Sequence, residues 1–200
     1  CTFLNNSAGN GGAVNNWMTD ITLTHCTFAG NSAVEGGGIW NGYSTATLIN
    51  CVLWGNTAPT HAQMDGACTA TYSCVQGGTA GTGNTSSDPL LADAATGNLR
   101  LRAGSPCIDA ADGDAAPKTD LAGNPRYDDP ATLHTGAGTP AYTDMGAYEY
   151  QGVPTLDWSS YLGDITSSYA IAVDGSGDVW VAGRTMPGSV VGEGVETAQK

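Results

Sequence analysis

Four cysteines recur at nearly constant intervals: Cys1, Cys26, Cys51 and Cys74 are separated by 25, 25 and 23 residues. Other positions keep the same frame. Asn6, Asn31 and Asn56 follow the first three cysteines by five residues, and Ser7, Ser32 and Thr57 come next, then Ala8, Ala33 and Ala58. Gly11-Gly12-Ala13-Val14-Asn15 answers to Gly36-Gly37-Gly38-Ile39-Trp40. A period of this size belongs to repeat architectures, in which each unit buries its apolar face only against its neighbours. The unit is too short for two packed helices, and its Gly- and Thr-rich text has poor helix propensity. Its apolar residues alternate in twos (Ile21/Leu23, Cys26/Phe28, Cys51/Leu53), which is the period of a strand.

Between Leu23 and Cys26 the alternation slips by one, which predicts a corner at His25, Asn50 and Ser73. Polar side chains there can bond the backbone where the ladder bends. Asn6, Asn31 and Asn56 are expected at a second corner, since Asn tolerates the left-handed conformation. The Gly-Gly runs supply a third. Three short strands and three bends per unit predict an all-β chain whose residues 1–74 wind as about four coils of a right-handed parallel β-helix. Equivalent positions then stack about 4.8 Å apart, giving a stub about 20 Å tall. That stacking predicts one interior ladder of Cys1, Cys26, Cys51 and Cys74 beside Phe3, Phe28 and Leu53, with Leu23 over Leu48. Unpaired strand edges at the top of such a stub predict further coils before Cys1.

The repeats Cys26-Thr27-Phe28-Ala29-Gly30-Asn31-Ser32-Ala33 and Gly36-Gly37-Gly38-Ile39-Trp40-Asn41 resemble those of bacterial polymorphic outer-membrane-protein β-helices. Five downstream blocks resemble the end of choice-of-anchor Q domains. They are Asp88-Pro89-Leu90-Leu91-Ala92-Asp93, Leu99-Arg100-Leu101, Gly104-Ser105-Pro106-Cys107-Ile108-Asp109, Thr119-Asp120-Leu121-Ala122-Gly123-Asn124-Pro125-Arg126 and Asp144-Met145-Gly146-Ala147-Tyr148-Glu149-Tyr150. The likeness covers residues 1–151. It implies a secreted or cell-surface β-helix, extracellular or at the outer membrane, with a capping segment and variable C-terminal modules; an adhesion or recognition role is the function expected of such a scaffold.

Residues 75–151 lose the period and are expected to form an irregular C-terminal cap, with 88–150 over the lower end of the coils and Met145 and Ala147 near the core. Residues 152–200 change character. Ile171/Val173 and Val179/Val181 alternate on either side of Asp174-Gly175-Ser176-Gly177-Asp178, a hairpin signal. Together with Trp158-Ser159-Ser160-Tyr161-Leu162-Gly163, this segment resembles one repeat of a seven-bladed β-propeller. One blade cannot close a propeller.

Composition narrows the function. The chain carries 19 Asp+Glu against 6 Lys+Arg, a net charge of −13. Without clustered cations it has no means of replacing the counterions of nucleic acid, so a nucleic-acid partner is excluded. No apolar run reaches the roughly 20 residues of a membrane span.

No catalytic constellation is visible, and no catalytic, cofactor or metal residue is assigned. Carbohydrate-active β-helices set paired carboxylates, or a basic residue beside calcium, on one strand face. Residues 1–74 hold only Asp20, Glu35 and Asp65 as acids, in unrelated frames, with no Lys or Arg. His25, His61 and His134 are scattered, and His25 reads as a corner residue. Asp109, Asp112, Asp114 and Asp120 crowd one loop, and Asp174-x-Ser176-x-Asp178 opens like a calcium loop. Neither has the full ligand spacing of an EF-hand, and turn formation accounts for both. Stacked thiols that point the same way suit a packed free ladder, which leaves Cys68 and Cys107 as the pair open to a disulfide. Trp17, Trp40, Trp54 and Tyr43 either roof the core or form a flat row that stacks on a sugar or grips a surface protein. The favoured reading is a noncatalytic scaffold fragment of a large bacterial surface protein. The alternative is part of a polysaccharide lyase or hydrolase whose catalytic coils lie upstream of Cys1.

Overall fold

The computed structural model describes residues 1–152, 165–173 and 179–185. The chain divides into two compact units, Cys1–Pro154 and Thr155–Lys200. Among the described residues it is all-β, with one turn of 3-10 helix at Gly113–Ala115. No helix among them is long and apolar enough to cross a membrane.

Two parallel sheets organise the first unit. Strands β1 (Thr2–Leu4), β4 (Thr27–Ala29), β6 (Val52–Trp54) and β8 (Cys74–Val75) lie side by side in that order. Strands β2 (Val14–Trp17) and β3 (Ile21–Thr24) both pair with the long β5 (Ile39–Ile49), which pairs on its other edge with β7 (Met64–Thr71). Phe3 stands beside Phe28 and Phe28 beside Leu53, while Leu23 stands beside Leu48. Each of these steps is 25 residues. Isolated bridges carry the same interval between the sheets, from Ser7 to Ser32 to Thr57 and from Asn10 to Glu35 to Thr60. Parallel pairing in register places like over like. The rings of Phe3 and Phe28 therefore stack at 4.6 Å and 4°, and Phe28, Ile39, Ala46, Leu48, Cys51 and Leu53 are fully buried between the two sheets.

The bends recur with the strands. Left-handed backbone is found at Asn5, Gly30 and Gly55; at Gly11, Gly36 and His61; at Met18, Tyr43 and Gly66; and at His25, Asn50 and Tyr72. Each repeat thus turns at four such corners rather than the three expected. Asn6, Asn31 and Asn56 are not among them. The residue before each takes the strained conformation, and the Asn side chain turns inward instead. Asn31 Oδ1 accepts from the backbone and side-chain amides of Asn6 at 3.0 and 2.9 Å. Its own Nδ2 donates to Phe3 O at 3.0 Å and to Asn56 Oδ1 at 2.8 Å.

The fourth cysteine does not join the ladder. Trp40 pairs with Asp65, a step of 25, but Thr45 pairs with Ala67, a step of 22. Residues 41–44 of β5 stand opposite the single Gly66, so β7 is three residues shorter there. The shortened step sets Cys74 beside Val52, and Ser73 takes the place below Cys51, whose N–H donates to Ser73 Oγ at 3.0 Å. Because side chains alternate, a slip of one residue sends Cys74 to the opposite face. There it packs with Val52, Cys107 and Met145. The corner expected at Ser73 is Tyr72. All six cysteines are free; Cys68 lies against the core around Leu48 while Cys107 belongs to the other cluster.

The lower end is not covered by the 88–150 segment expected there but by the polar loop before it. Residues 79–87 cover the last repeat: Tyr72 N–H donates to Thr82 O and Val75 N–H to Thr85 O. Residues 105–150 instead include a strip along the outer face of β4 and β6. Gly146 N–H donates to Asn50 O at 2.8 Å and Ala147 N–H to Thr27 Oγ1 at 3.0 Å. Met145 and Ala147 are buried there. Strands β9 (Leu91–Asp93) and β10 (Asn98–Leu101) form a small antiparallel pair.

In the second unit β11 (Ile165–Val173) pairs antiparallel with β12 (Val179–Thr185), matching Ile171 to Val181 and Val173 to Val179. The Asp174–Asp178 turn, with its calcium-loop opening, and the Trp158 to Gly163 block lie outside the described residues.

Candidate functional site

The aromatic residues form a patch on the sheet containing β2 and β5. Trp17 and Trp40 lie two positions apart in register, since Trp17 pairs with Gly42 and Trp40 with Asn15. Both therefore project from the same side of the sheet. Their rings are parallel within 5° with centroids 5.8 Å apart, and Tyr43 meets Trp17 edge-on at 5.1 Å. Gly42 is what lets the rings settle. A Cβ there would meet ring carbons of Trp40 at 2.4 Å and of Trp17 at 2.5 Å. Trp17 is 52% and Tyr43 84% exposed. Trp54 does not join them; it lies in the other sheet, packed against the cluster that includes Val52 and Cys74.

The acids of the repeats stay apart. Asp20 accepts from Thr45 N–H at 2.8 Å, Glu35 bridges Asn10 and Thr60, and Asp65 pairs with His61 at 2.9 Å. They occupy three different positions of the 25-residue frame, so stacking brings no two of them together. His25 is buried. Its Nε2 accepts from Asn50 Nδ2 at 2.8 Å, which leaves Nδ1–H to donate to Gly146 O at 3.2 Å. Burial, reinforced by the charge of Arg126, lowers its pKa to about 4. Asn50 completes the tie, with Nδ2 donating to Asp112 O and Oδ1 accepting from Asp112 N–H at 2.7 Å. His25 and Asn50 join repeat to flank.

The flank contains the acids that crowd the sequence, and most hold backbone. Asp112 Oδ1 accepts from Asp114 N–H, and Asp114 Oδ1 from Thr139 N–H. Asp120 Oδ1 accepts from Ala122 and Asn124 N–H, both at 2.8 Å, and Oδ2 from Glu149 N–H. Burial pushes the Asp120 carboxyl up, but the Glu149 and Asn124 donors outweigh it and hold the group below its ordinary range. Asp144 accepts from Asp109 and Tyr150 N–H at 2.8 and 2.6 Å. Burial and then the charge of Glu149 lift it to about 8. Glu149 is raised by burial against the pull of Tyr127 N–H and Arg126; the Arg126 Nη1–Glu149 Oε2 distance is 2.5 Å. The suspected calcium loop of Asp112, Asp114 and Asp120 is therefore a set of turn and cap acceptors, not a convergent one.

Asp109 differs from all of these. It has no solvent-accessible surface, yet neither carboxylate oxygen makes a hydrogen bond of good geometry, the Asp129 N–H being only a weak influence nearby. Desolvation raises its pKa to about 6 against the pull of His134. Next to it stand Asp128 and His134. One ligand atom from each of the three lies within 4.8 Å of the others. His134 Nε2 is 2.9 Å from Asp128 Oδ1 and 3.8 Å from Asp109 Oδ2. The Asp128 hydrogen bond, supported by both carboxylate charges, raises the His134 pKa. Asp109 and His134 are 25 residues apart, and Asp112 bridges in parallel to Ala137 at the same interval. That recurrence is the signal sequence reading passed over, because no repeated residue types mark it.

Comparison of the chain with protein-family models, curated proteins and solved structures finds no match.

Proposed function

We propose that this chain is a noncatalytic recognition scaffold from a secreted or surface bacterial protein. Its repeats would wind as a right-handed parallel β-helix, and its aromatic patch would contact a neutral glycan. The observation that carries the reading is the parallel pair of Trp17 and Trp40 on strands paired in register, with Tyr43 set edge-on beside it from the adjoining corner. Flat, exposed rings offer an apolar face to the C–H face of a sugar at little entropic cost. The charge pattern favours a neutral sugar over an acidic polymer, since residues 1–74 hold no Lys or Arg to pair with uronate or sulfate. The separation of Asp20, Glu35 and Asp65 supports binding without turnover.

Tryptophan fluorescence titration with neutral oligosaccharides, set against polygalacturonate, tests this. Saturable quenching by a neutral oligosaccharide that disappears in Trp17→Ala is expected. Failure to bind any saccharide, binding unchanged in Trp17→Ala, or release of reducing ends from a polysaccharide would contradict it.

A further inference from the structure

We propose that Asp109, Asp128 and His134 form a binding site for a divalent metal ion of the kind that accepts mixed nitrogen and carboxylate donors, with Zn2+ as its probe. The inference does not depend on the glycan reading. The observation beneath it is the Asp109 carboxylate, buried with no hydrogen bond of good geometry and only the Asp129 N–H nearby to draw it toward the charged form. Buried carboxylates are otherwise satisfied in this unit: Asp120, Asp144 and Glu149 each accept from backbone N–H groups. A charge left uncompensated below the surface is costly unless a cation meets it.

The geometry suits a small ion. Tetrahedral ligands about 2.1 Å from zinc stand about 3.4 Å from one another. The two separations from His134 Nε2, 2.9 and 3.8 Å, bracket that value. An imidazole nitrogen argues against calcium, which takes oxygen ligands. Backbone contacts fix the loops that carry the donors. Asp109 O accepts from Thr135 and Gly136 N–H at 2.9 and 3.1 Å, holding the turn after His134. The Asp129 carboxylate accepts from Thr132 Oγ1–H at 2.6 Å and from Ala131 N–H, holding the turn after Asp128. Asp109 closes the inner side, while the His134 and Asp128 side chains are 41% and 53% exposed and leave a path from solvent. On binding, His134 Nε2 gives its proton to solvent and donates its lone pair to the ion.

The test uses the full chain after chelator treatment, titrated with Zn2+ by calorimetry and with Co2+ by absorption. One equivalent is expected to bind and to raise the melting temperature. Asp109→Asn and His134→Gln should each weaken binding roughly tenfold or more, whereas His61→Ala should leave it unchanged. Asp109→Asn should also melt higher than the parent when both are metal-free, because it removes a buried charge that no hydrogen bond of good geometry satisfies. Since His134 is exposed, His134→Gln carries the test even where Asp109→Asn fails to fold. No binding by the parent chain, binding unchanged in both variants, a thiolate-to-cobalt band, loss with His61→Ala, or stabilisation by Ca2+ and not Zn2+ would overturn the proposal.

Discussion

Asn31, in the repeats, and Asp144, in the strip along their flank, are both buried polar side chains, and they are satisfied by opposite means. Asn31 sits in a column of its own kind, where each amide donates to the next and accepts from the one before. An amide carries donors and acceptors together, so identical residues stacked in register can satisfy one another without charge. Asp144 has no equivalent neighbour. It gathers N–H groups from Asp109 and Tyr150, which come from separate turns. A carboxylate only accepts, which suits irregular backbone whose donors converge, but it carries the cost of burying charge. Repetition allows a neutral polar core; its absence calls for ionisable groups and makes the flank sensitive to pH.

The largest effect that would break this comparison is on the Asn column. Asn31→Asp keeps the shape but sets a carboxylate against Phe3 O and Asn56 Oδ1. It should cost about 4 kcal/mol in urea unfolding. A loss under about 1 kcal/mol would mean that the column does not depend on its neutral donors.

Next is pH. His25 is held neutral down to about 4 when folded, against 6.5 when free. Between those values the unfolded chain binds a proton that the folded chain does not. Its contribution is therefore complete above pH 6.5 and is lost as pH falls toward 4, a swing of about 3 kcal/mol. Asp109 and Asp144 run the other way. With folded values near 6 and 8, they favour folding when protonated, and that contribution fades as pH rises from about 4. The stability difference between the parent and His25→Asn should grow from pH 4 to 6.5 and then level. A flat difference would remove the buried neutral imidazole from the account.

In the flank the expected sign reverses. Asp109→Asn, without metal, should stabilise the fold at pH 8 by about 1–2 kcal/mol, a figure reduced for its position just beneath the surface. The gain should vanish near pH 4. The smallest effect is at the aromatic patch. Gly42→Val should displace both indoles, shift the tryptophan emission and cost about 1 kcal/mol or less, with a larger loss in saccharide binding.

The sequence made the first three repeats legible because alike residues recur at alike positions; Asn6/Asn31/Asn56 and Leu23/Leu48 mark the frame directly. The fourth was misread because the cysteines themselves misled. Three residues missing opposite residues 41–44 moved Ser73 under Cys51 and sent Cys74 to the other face. A deletion inside a repeat leaves the composition intact and changes only the register. The flank was harder to place, since Ala147 meets Thr27 across 120 residues and no local pattern encodes such a contact. The Asp109, Asp128 and His134 group was invisible for the same reason, while the crowded Asp112, Asp114 and Asp120 drew notice by proximity in sequence alone.

The register of the stack can be read directly by nuclear Overhauser contacts between backbone protons of neighbouring strands in the isotope-labelled full chain. The account predicts parallel contacts linking Thr22 to Thr47 and Thr47 to Thr69, together with Val52 to Cys74. Contacts placing Cys74 beside Cys51 at a constant interval, or an antiparallel pattern in these strands, would contradict it.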